Sequence, residues 1–274
     1  ELGEETGMNK RHLLGAALGI TGALIGIIGH FILFQKWYLV GMNTPSAEPG
    51  RDVRLETIRP LLADLGPLGG VLCAVGAHGF LPRRNWAFFL SVVATVLALL
   101  GSWFVNVPFM AAGLPPVYFP LFWPYLVLYF LLVKVVGEVS WPRTLLALVA
   151  GMAYITCWMN GVASTSRIIT IGAPIFSLVQ KLHWAAMVGW AVVTVGVIIA
   201  PREWTRVVGL VAGAAELVVG IPLAIETGGA LGRFSLFALA PIICLGLVVL
   251  FIWPRLWLKV TEPGVPAAPA TVAA

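Results

Sequence analysis

The chain reads as a succession of long apolar runs separated by short polar marks. It shows neither the two-residue alternation of a half-buried strand nor the single apolar stripe of a water-facing helix. The runs fall at about 13–34, 65–81, 86–105, 119–136, 144–160, 182–200, 204–225 and 234–253. Each approaches the roughly 20 residues that carry a helix across the hydrocarbon of a bilayer. The pattern therefore predicts an all-α, polytopic transmembrane bundle of about eight spans. A closed β-barrel, the other fold that satisfies every backbone group in lipid, would show alternating segments of about ten residues.

Little lies between the runs. Residues 1–12 form a polar lead ending in Lys10-Arg11-His12. The first run continues to about residue 34 without a small-residue cleavage site, so it is expected to be a retained span. The long polar connection at 35–65 carries turn chemistry over Asn43–Gly50, then Leu55, Ile58, Leu62 and Leu65 at helical spacing. That spacing predicts a helix over about 54–65 lying in the interface. At 161–181 the pattern breaks, and Ser164, Thr165, Arg167, Gly172 and Pro174 predict an interfacial or re-entrant piece. The tail, 259–274, is rich in Pro and Ala and is expected to be disordered by itself.

Composition sharpens the picture. Of the 274 residues 59% are hydrophobic and 11% charged, with a mean hydropathy of +0.95, whereas soluble domains carry about 25% charged residues. The net charge of +5 comes from cations set singly at span ends, which is membrane anchoring and argues against nucleic acid. With the N-terminus inside, the inner segments hold the larger share of Lys and Arg, while much of the outer set sits in one long loop that also holds acids. Both termini are therefore predicted to be cytoplasmic, in a multi-pass protein of the cell membrane. Cys73, Cys157 and Cys244 lie inside apolar runs, as small core residues rather than a disulfide framework or metal site.

A Pro-Arg pair with a tryptophan close by recurs at Pro82-Arg83, Pro142-Arg143, Pro201-Arg202 and Pro254-Arg255. A glycine lies 18 residues beyond an arginine in every odd span: Arg11 to Gly29, Arg83 to Gly101, Arg143 to Gly161 and Arg202 to Gly220. Eighteen helical residues rise about 27 Å, close to one hydrocarbon core. These marks predict four repeated helical hairpins. The competing reading is that Pro, Arg and Trp each gather independently at one interface.

Against this background the least expected residue is Glu216, a carboxylate inside the seventh run, where an ionised group is costly unless paired or protonated. It could bind a proton, coordinate a cation, hydrogen-bond a quinone or meet another subunit. The bland alternative is a protonated glutamate bonded to a neighbouring helix. His30 and His183, on different spans at similar depth, are the minimum for axial ligation of a haem or for binding a chlorin pigment; otherwise they are interfacial hydrogen-bonding residues. Asn106, Asn160 and Arg167, with Ser164, Tyr118, Trp103 and Trp158, form an outer polar layer that either lines a cavity or belongs to the ordinary interfacial belt. Lys134 and Glu138, four apart, are expected to pair.

Small residues at Gly15, Gly19, Gly22 and Gly26, and again at Gly209 and Gly213, form ridges that let another helix approach closely. No catalytic or metal motif is present, so no catalytic residue or metal ligand is assigned. The leading functional expectation is a non-catalytic integral subunit that packs against other membrane-protein subunits in a larger complex. The alternatives are a small proton- or cation-coupled transporter or channel using Glu216, and a redox subunit holding haem, pigment or quinone.

Overall fold

The computed structural model describes residues 2–43, 64–111, 114–171, 174–232 and 234–261, and every regular element among them is helical. Helix α1 (Leu2–Leu24) passes through a π-helical turn, Ile25–Gly29, into α2 (His30–Asn43). It is followed by α3 (Leu65–Phe80), α4 (Trp86–Phe104), α5 (Asn106–Ala111) and α6 (Phe119–Leu131), the last ending in a second π-helical stretch at Leu132–Val136. The chain continues through α7 (Trp141–Ile171), α8 (Pro174–Ile199), α9 (Glu203–Leu231), a 3-10 turn at Leu236–Ala238, α10 (Leu239–Ile252) and α11 (Pro254–Thr261). Among the described residues six helices are long and apolar enough to cross a bilayer, and a seventh if Leu236–Ile252 and Pro254–Thr261 count as one bent span. The protein is thus an all-α, multi-pass membrane bundle. The run expected at 65–81 is α3, whose 16 residues rise about 24 Å, short of the roughly 30 Å hydrocarbon thickness. The predicted interfacial helix at 54–65 and the tail beyond Thr261 lie, but for Asp64 and Leu65, outside the described residues.

The chain divides into two compact units, Glu1–Glu138 with Thr165–Pro174, and Val139–Ser164 with Ile175–Ala274. In the first unit the glycine ridge of α1 is filled from within. A Cβ at Gly15 would touch the Phe80 ring at 2.8 Å, at Gly19 the Ala77 Cβ at 2.8 Å, and at Gly22 the Cys73 Sγ at 2.9 Å. At Gly26 it would stand 2.5 Å from the Gly70 Cα and 2.3 Å from the Tyr125 hydroxyl. That hydroxyl donates to the Gly22 carbonyl at 2.7 Å, so α6 is pinned where α1 and α3 come closest. The elements that fill the ridge belong to the same chain, chiefly α3. Glu138, expected to answer Lys134, has its carboxylate held by the Arg11 guanidinium, with Nη1 donating to Oε2 at 2.7 Å.

The second unit is inside-out relative to a soluble protein. On α9, Val211, Val218 and Ile225 recur at seven-residue spacing and are 65%, 70% and 70% exposed, a face suited to hydrocarbon. The opposite face buries Ala212, Gly213, Glu216, Val219, Gly220 and Leu223. Gly209 and Gly213 are again consumed internally: a Cβ there would stand 2.1 Å from the Phe251 ring and 2.3 Å from a Val248 methyl. At one end of this unit two arginines satisfy carbonyls that terminate helices. Arg143 donates to Val197 O at 3.0 Å and Ile198 O at 2.6 Å, and Arg206 to Phe251 O at 2.9 Å. At Trp253, held extended before Pro254, the chain turns by 97° into α11. That helix buries Trp257 and Thr261 and exposes Arg255, Leu258 and Lys259, the two-faced pattern of an interfacial helix.

Over 161–181, expected to be an interfacial or re-entrant piece, α7 runs on past Asn160 to Ile171 and α8 begins at Pro174. Its polar residues do not break the helix because they bond back along it, Ser164 Oγ donating to the Asn160 carbonyl at 2.9 Å. Pro174 opens α8, at a helix start where a missing N–H costs nothing. Helix α9 continues beyond the apolar run that ends at about 225, reaches Leu231, and is closed by Gly232 at φ 61°, the left-handed cap that glycine adopts freely.

Candidate functional site: a buried carboxylate, imidazole and amide

Among its described residues α9 fully buries one charged side chain, that of Glu216. The local sequence seats it: Gly220, one turn beyond Glu216, leaves the space the carboxyl occupies, since a Cβ there would lie 2.5 Å from Glu216 Oε1. From α8, His183 Nδ1 meets Glu216 Oε2 at 2.7 Å. From α7, Asn160 Nδ2 donates to Glu216 Oε1 at 2.8 Å and to the Phe237 carbonyl at 3.2 Å. All three side chains are fully buried. The two acceptors around Asn160 identify which of its terminal atoms is the nitrogen. The Phe237 carbonyl is itself positioned: Ser235 Oγ accepts from the Phe237 N–H at 3.3 Å and shares a 2.6 Å hydrogen bond with Thr227 of α9.

Among the described residues no Lys or Arg pairs with Glu216; its partner is the imidazole. Two atoms of the cluster, His183 Nε2 and Asn160 Oδ1, are buried with no hydrogen-bond partner. An orphaned buried polar atom costs about 1–3 kcal/mol. Two beside one carboxyl mark a place where a proton or a polar guest would be stabilised. Cys157 of α7 lies three residues before Asn160, and its Sγ stands 3.9 Å from that of Cys244 of α10.

The residues singled out from sequence are thus redistributed. Glu216, His183 and Asn160, assigned there to three separate roles, form one cluster in the second unit. His30 belongs to the first unit, where its buried ring packs against Tyr118, with centroids 5.9 Å apart, and against the bare face of Gly66. Asn106 is spent on structure: Nδ2 donates to the Ser102 and Trp103 carbonyls at 2.8 and 3.1 Å, and Oδ1 accepts from the Tyr118 N–H at 2.7 Å. The side chain of Arg167 lies outside the described residues. Trp158, placed in the same layer by sequence, packs edge-on against Trp184 at 5.0 Å. The described residues hold no group of three or more His, Cys, Asp or Glu side chains able to bind a metal ion.

Sequence reasoning did not join Glu216 to His183, although one signal was available. Asn160 lies 17 residues beyond Arg143, Glu216 14 beyond Arg202, and His183 16 before Ile199. At 1.5 Å per residue all three stand roughly 21–26 Å from the same end of the unit. The Phe237 carbonyl, a backbone group in a 3-10 turn, left no mark in the sequence. Comparison with protein families, with curated proteins and with solved structures found no match to this chain.

Proposed function

We propose that the protein is a small proton-coupled membrane transporter in which the Glu216–His183 pair takes up and releases the coupling proton. The observation that carries this reading is the 2.7 Å contact between a fully buried carboxyl and a fully buried imidazole, with no Lys or Arg paired to that carboxyl among the described residues. Ionisable groups at such a depth are expensive and belong with ion or proton pathways. The glycine faces that suggested a docking subunit are filled within each unit, so they lend that alternative no support.

Proton counting supplies the coupling. With Glu216 ionised and His183 neutral, Nδ1–H donates to the carboxylate, Nε2 is a bare acceptor, and the pair carries one negative charge. One added proton makes the pair neutral. Whether that proton formally resides on the carboxyl or on the ring, the 2.7 Å hydrogen bond is kept only if Nε2 carries a hydrogen. Uptake of the proton therefore converts the orphaned Nε2 from acceptor to donor, and a solute bound there senses the protonation state.

The test needs no knowledge of the solute. Reconstituted protein on a solid-supported membrane is subjected to pH jumps and the transient charge displacement is recorded. The expected result is a displacement that Glu216→Gln abolishes and that His183→Ala reduces at least tenfold. A wild-type displacement in Glu216→Gln would overturn the reading. A visible absorption band in the purified protein that His183→Ala removes would replace it with pigment or haem ligation, since an imidazole with Nδ1 on a carboxylate and Nε2 open also suits a metal.

A further inference from the structure

The proton reading leaves two buried groups unused. Cys157 and Cys244 stand 87 positions apart in the chain, yet their sulfur atoms face each other at 3.9 Å, each fully buried. This separation exceeds a disulfide bond by roughly 2 Å, so small rotations about the two side chains would close it. The third cysteine, Cys73, is a buried free thiol in the first unit beside Gly22. Ordinarily two such thiols would be inert, because apolar surroundings keep them protonated and the thiolate is the reactive form. Here Cys157 lies one helical turn before Asn160, whose amide donates to the Glu216 carboxyl at 2.8 Å, so a carboxyl already connected to an imidazole stands close by.

We propose that Cys157 and Cys244 form a membrane-embedded dithiol that is oxidised to a disulfide by a lipid-soluble quinone, with Glu216 accepting the Cys157 proton. This rests on the reading above that Glu216 exchanges a proton. The titratable groups that meet at this point are Glu216 from α9, His183 from α8, Cys157 from α7 and Cys244 from α10. The oxidant class follows from the surroundings. Both thiols are fully buried in a unit whose exposed α9 face is apolar, and the acceptor proposed is therefore one that dissolves in hydrocarbon and takes two electrons with two protons. Once Glu216 has taken the Cys157 proton, His183 Nε2 carries a hydrogen and is a donor to a quinone oxygen, while Asn160 Oδ1 is an acceptor for a quinol hydroxyl.

The step balances as follows. Glu216 removes the Cys157 proton, and the thiolate sulfur adds to a quinone ring carbon, pushing an electron pair onto a carbonyl oxygen. The Cys244 sulfur then attacks the Cys157 sulfur. The S–S bond forms as the C–S bond breaks, and that bond's electron pair returns to the ring. The proton held by Glu216 and the proton of Cys244 end on the two quinone oxygens. Two thiols and one quinone give one disulfide and one quinol.

The experiment uses the full chain in lipid nanodiscs, reduced and then incubated without oxygen with a short-chain ubiquinone analogue. After denaturation, free thiols are counted with a maleimide mass tag and cross-linked peptides are identified by mass spectrometry. The reduced protein is expected to label at three cysteines, and the quinone-treated protein at Cys73 alone, with one quinol formed per Cys157–Cys244 link. Cys157→Ser and Cys244→Ser should each label at two cysteines before and after quinone, and Glu216→Gln should slow oxidation at least tenfold. Three labelled thiols in quinone-treated wild type, which needs no variant to fold, would overturn the inference. If that result came with intact pH-jump charge displacement, the proton reading would stand alone. If the displacement were missing while the disulfide formed, the proton reading would fall and the dithiol would remain.

Discussion

Gly220→Ala is the most direct probe of how Glu216 is seated. In a helix this substitution ordinarily stabilises, by up to about 1 kcal/mol, because alanine loses less backbone freedom on ordering. At this position the new Cβ would stand 2.5 Å from Glu216 Oε1, with Glu216 Cδ and Pro241 Cδ each at 3.2 Å. An ordinary contact is about 3.5–4.0 Å, so the carboxyl must withdraw by roughly 1 Å. That withdrawal stretches the 2.8 Å bond from Asn160 beyond hydrogen-bonding range and misaligns the 2.7 Å contact with His183. Loss of a charged hydrogen bond costs about 1.5–3 kcal/mol, which outweighs the helical gain, and the net expectation is destabilisation by about 1–2 kcal/mol. Gly229 on the same helix is the control, since a Cβ there meets nothing within 4 Å and Gly229→Ala should be neutral or slightly stabilising. Denaturant unfolding in mild detergent measures both. In a Glu216→Ala background the penalty at Gly220 should largely vanish, giving a coupling of about 1–2 kcal/mol in the double-mutant cycle. Equal effects of Gly220→Ala and Gly229→Ala, with no coupling to Glu216, would refute the seating of the carboxyl described above.

Three further outcomes are expected. Arg143→Ala should cost about 1.5–3 kcal/mol by releasing the Val197 and Ile198 carbonyls. Hydrogen exchange should then rise at the end of α8, and Arg143→Lys should not restore it, because one ammonium lacks the fork that reaches both oxygens. Tyr125→Phe should cost about 1 kcal/mol through its bond to Gly22. Gly26→Ala should cost more, about 2–4 kcal/mol, because it also pries α1 from α3 at Gly70; the ranking is read from unfolding midpoints of the two variants. Phe251→Ala should cost about 3–5 kcal/mol, since the ring is buried between Trp190 at 5.9 Å and Trp257 at 5.0 Å, and proteolysis after Trp253 should accelerate as α11 loses its anchor.

The all-α membrane character was legible because hydrocarbon demands helices wherever the chain crosses it, and long apolar runs leave little choice. Glu216 was legible for the same reason, as the one acid in an apolar stretch. Its partners were not. His183 and Asn160 are polar residues at the ends of their apolar runs, where interfacial residues also gather, and rotation about the helix axis decides whether they face lipid or each other. Gly172 and Pro174 signalled a break, but the sequence could not show that Ser164 bonds back along the helix and that α7 runs to Ile171. The glycines of α1 announced a close approach without naming the approaching helix. α3 answers with glycines of its own, at Gly70 against Gly26, and pairing between two such faces is written in neither segment alone.

The wide turn at Ile25–Gly29 holds one residue more than a regular helix would use over that length. Each residue of a helix advances the side-chain direction by about 100°, so the insertion sets the azimuth of everything that follows. Deleting a single residue there would let the turn relax to the ordinary ladder and swing His30 out from behind Gly66 and Tyr118, carrying a neighbour into its place. Which ring meets Tyr118 is thus governed by a spelling of length, one letter long, rather than by the chemistry of any side chain within it.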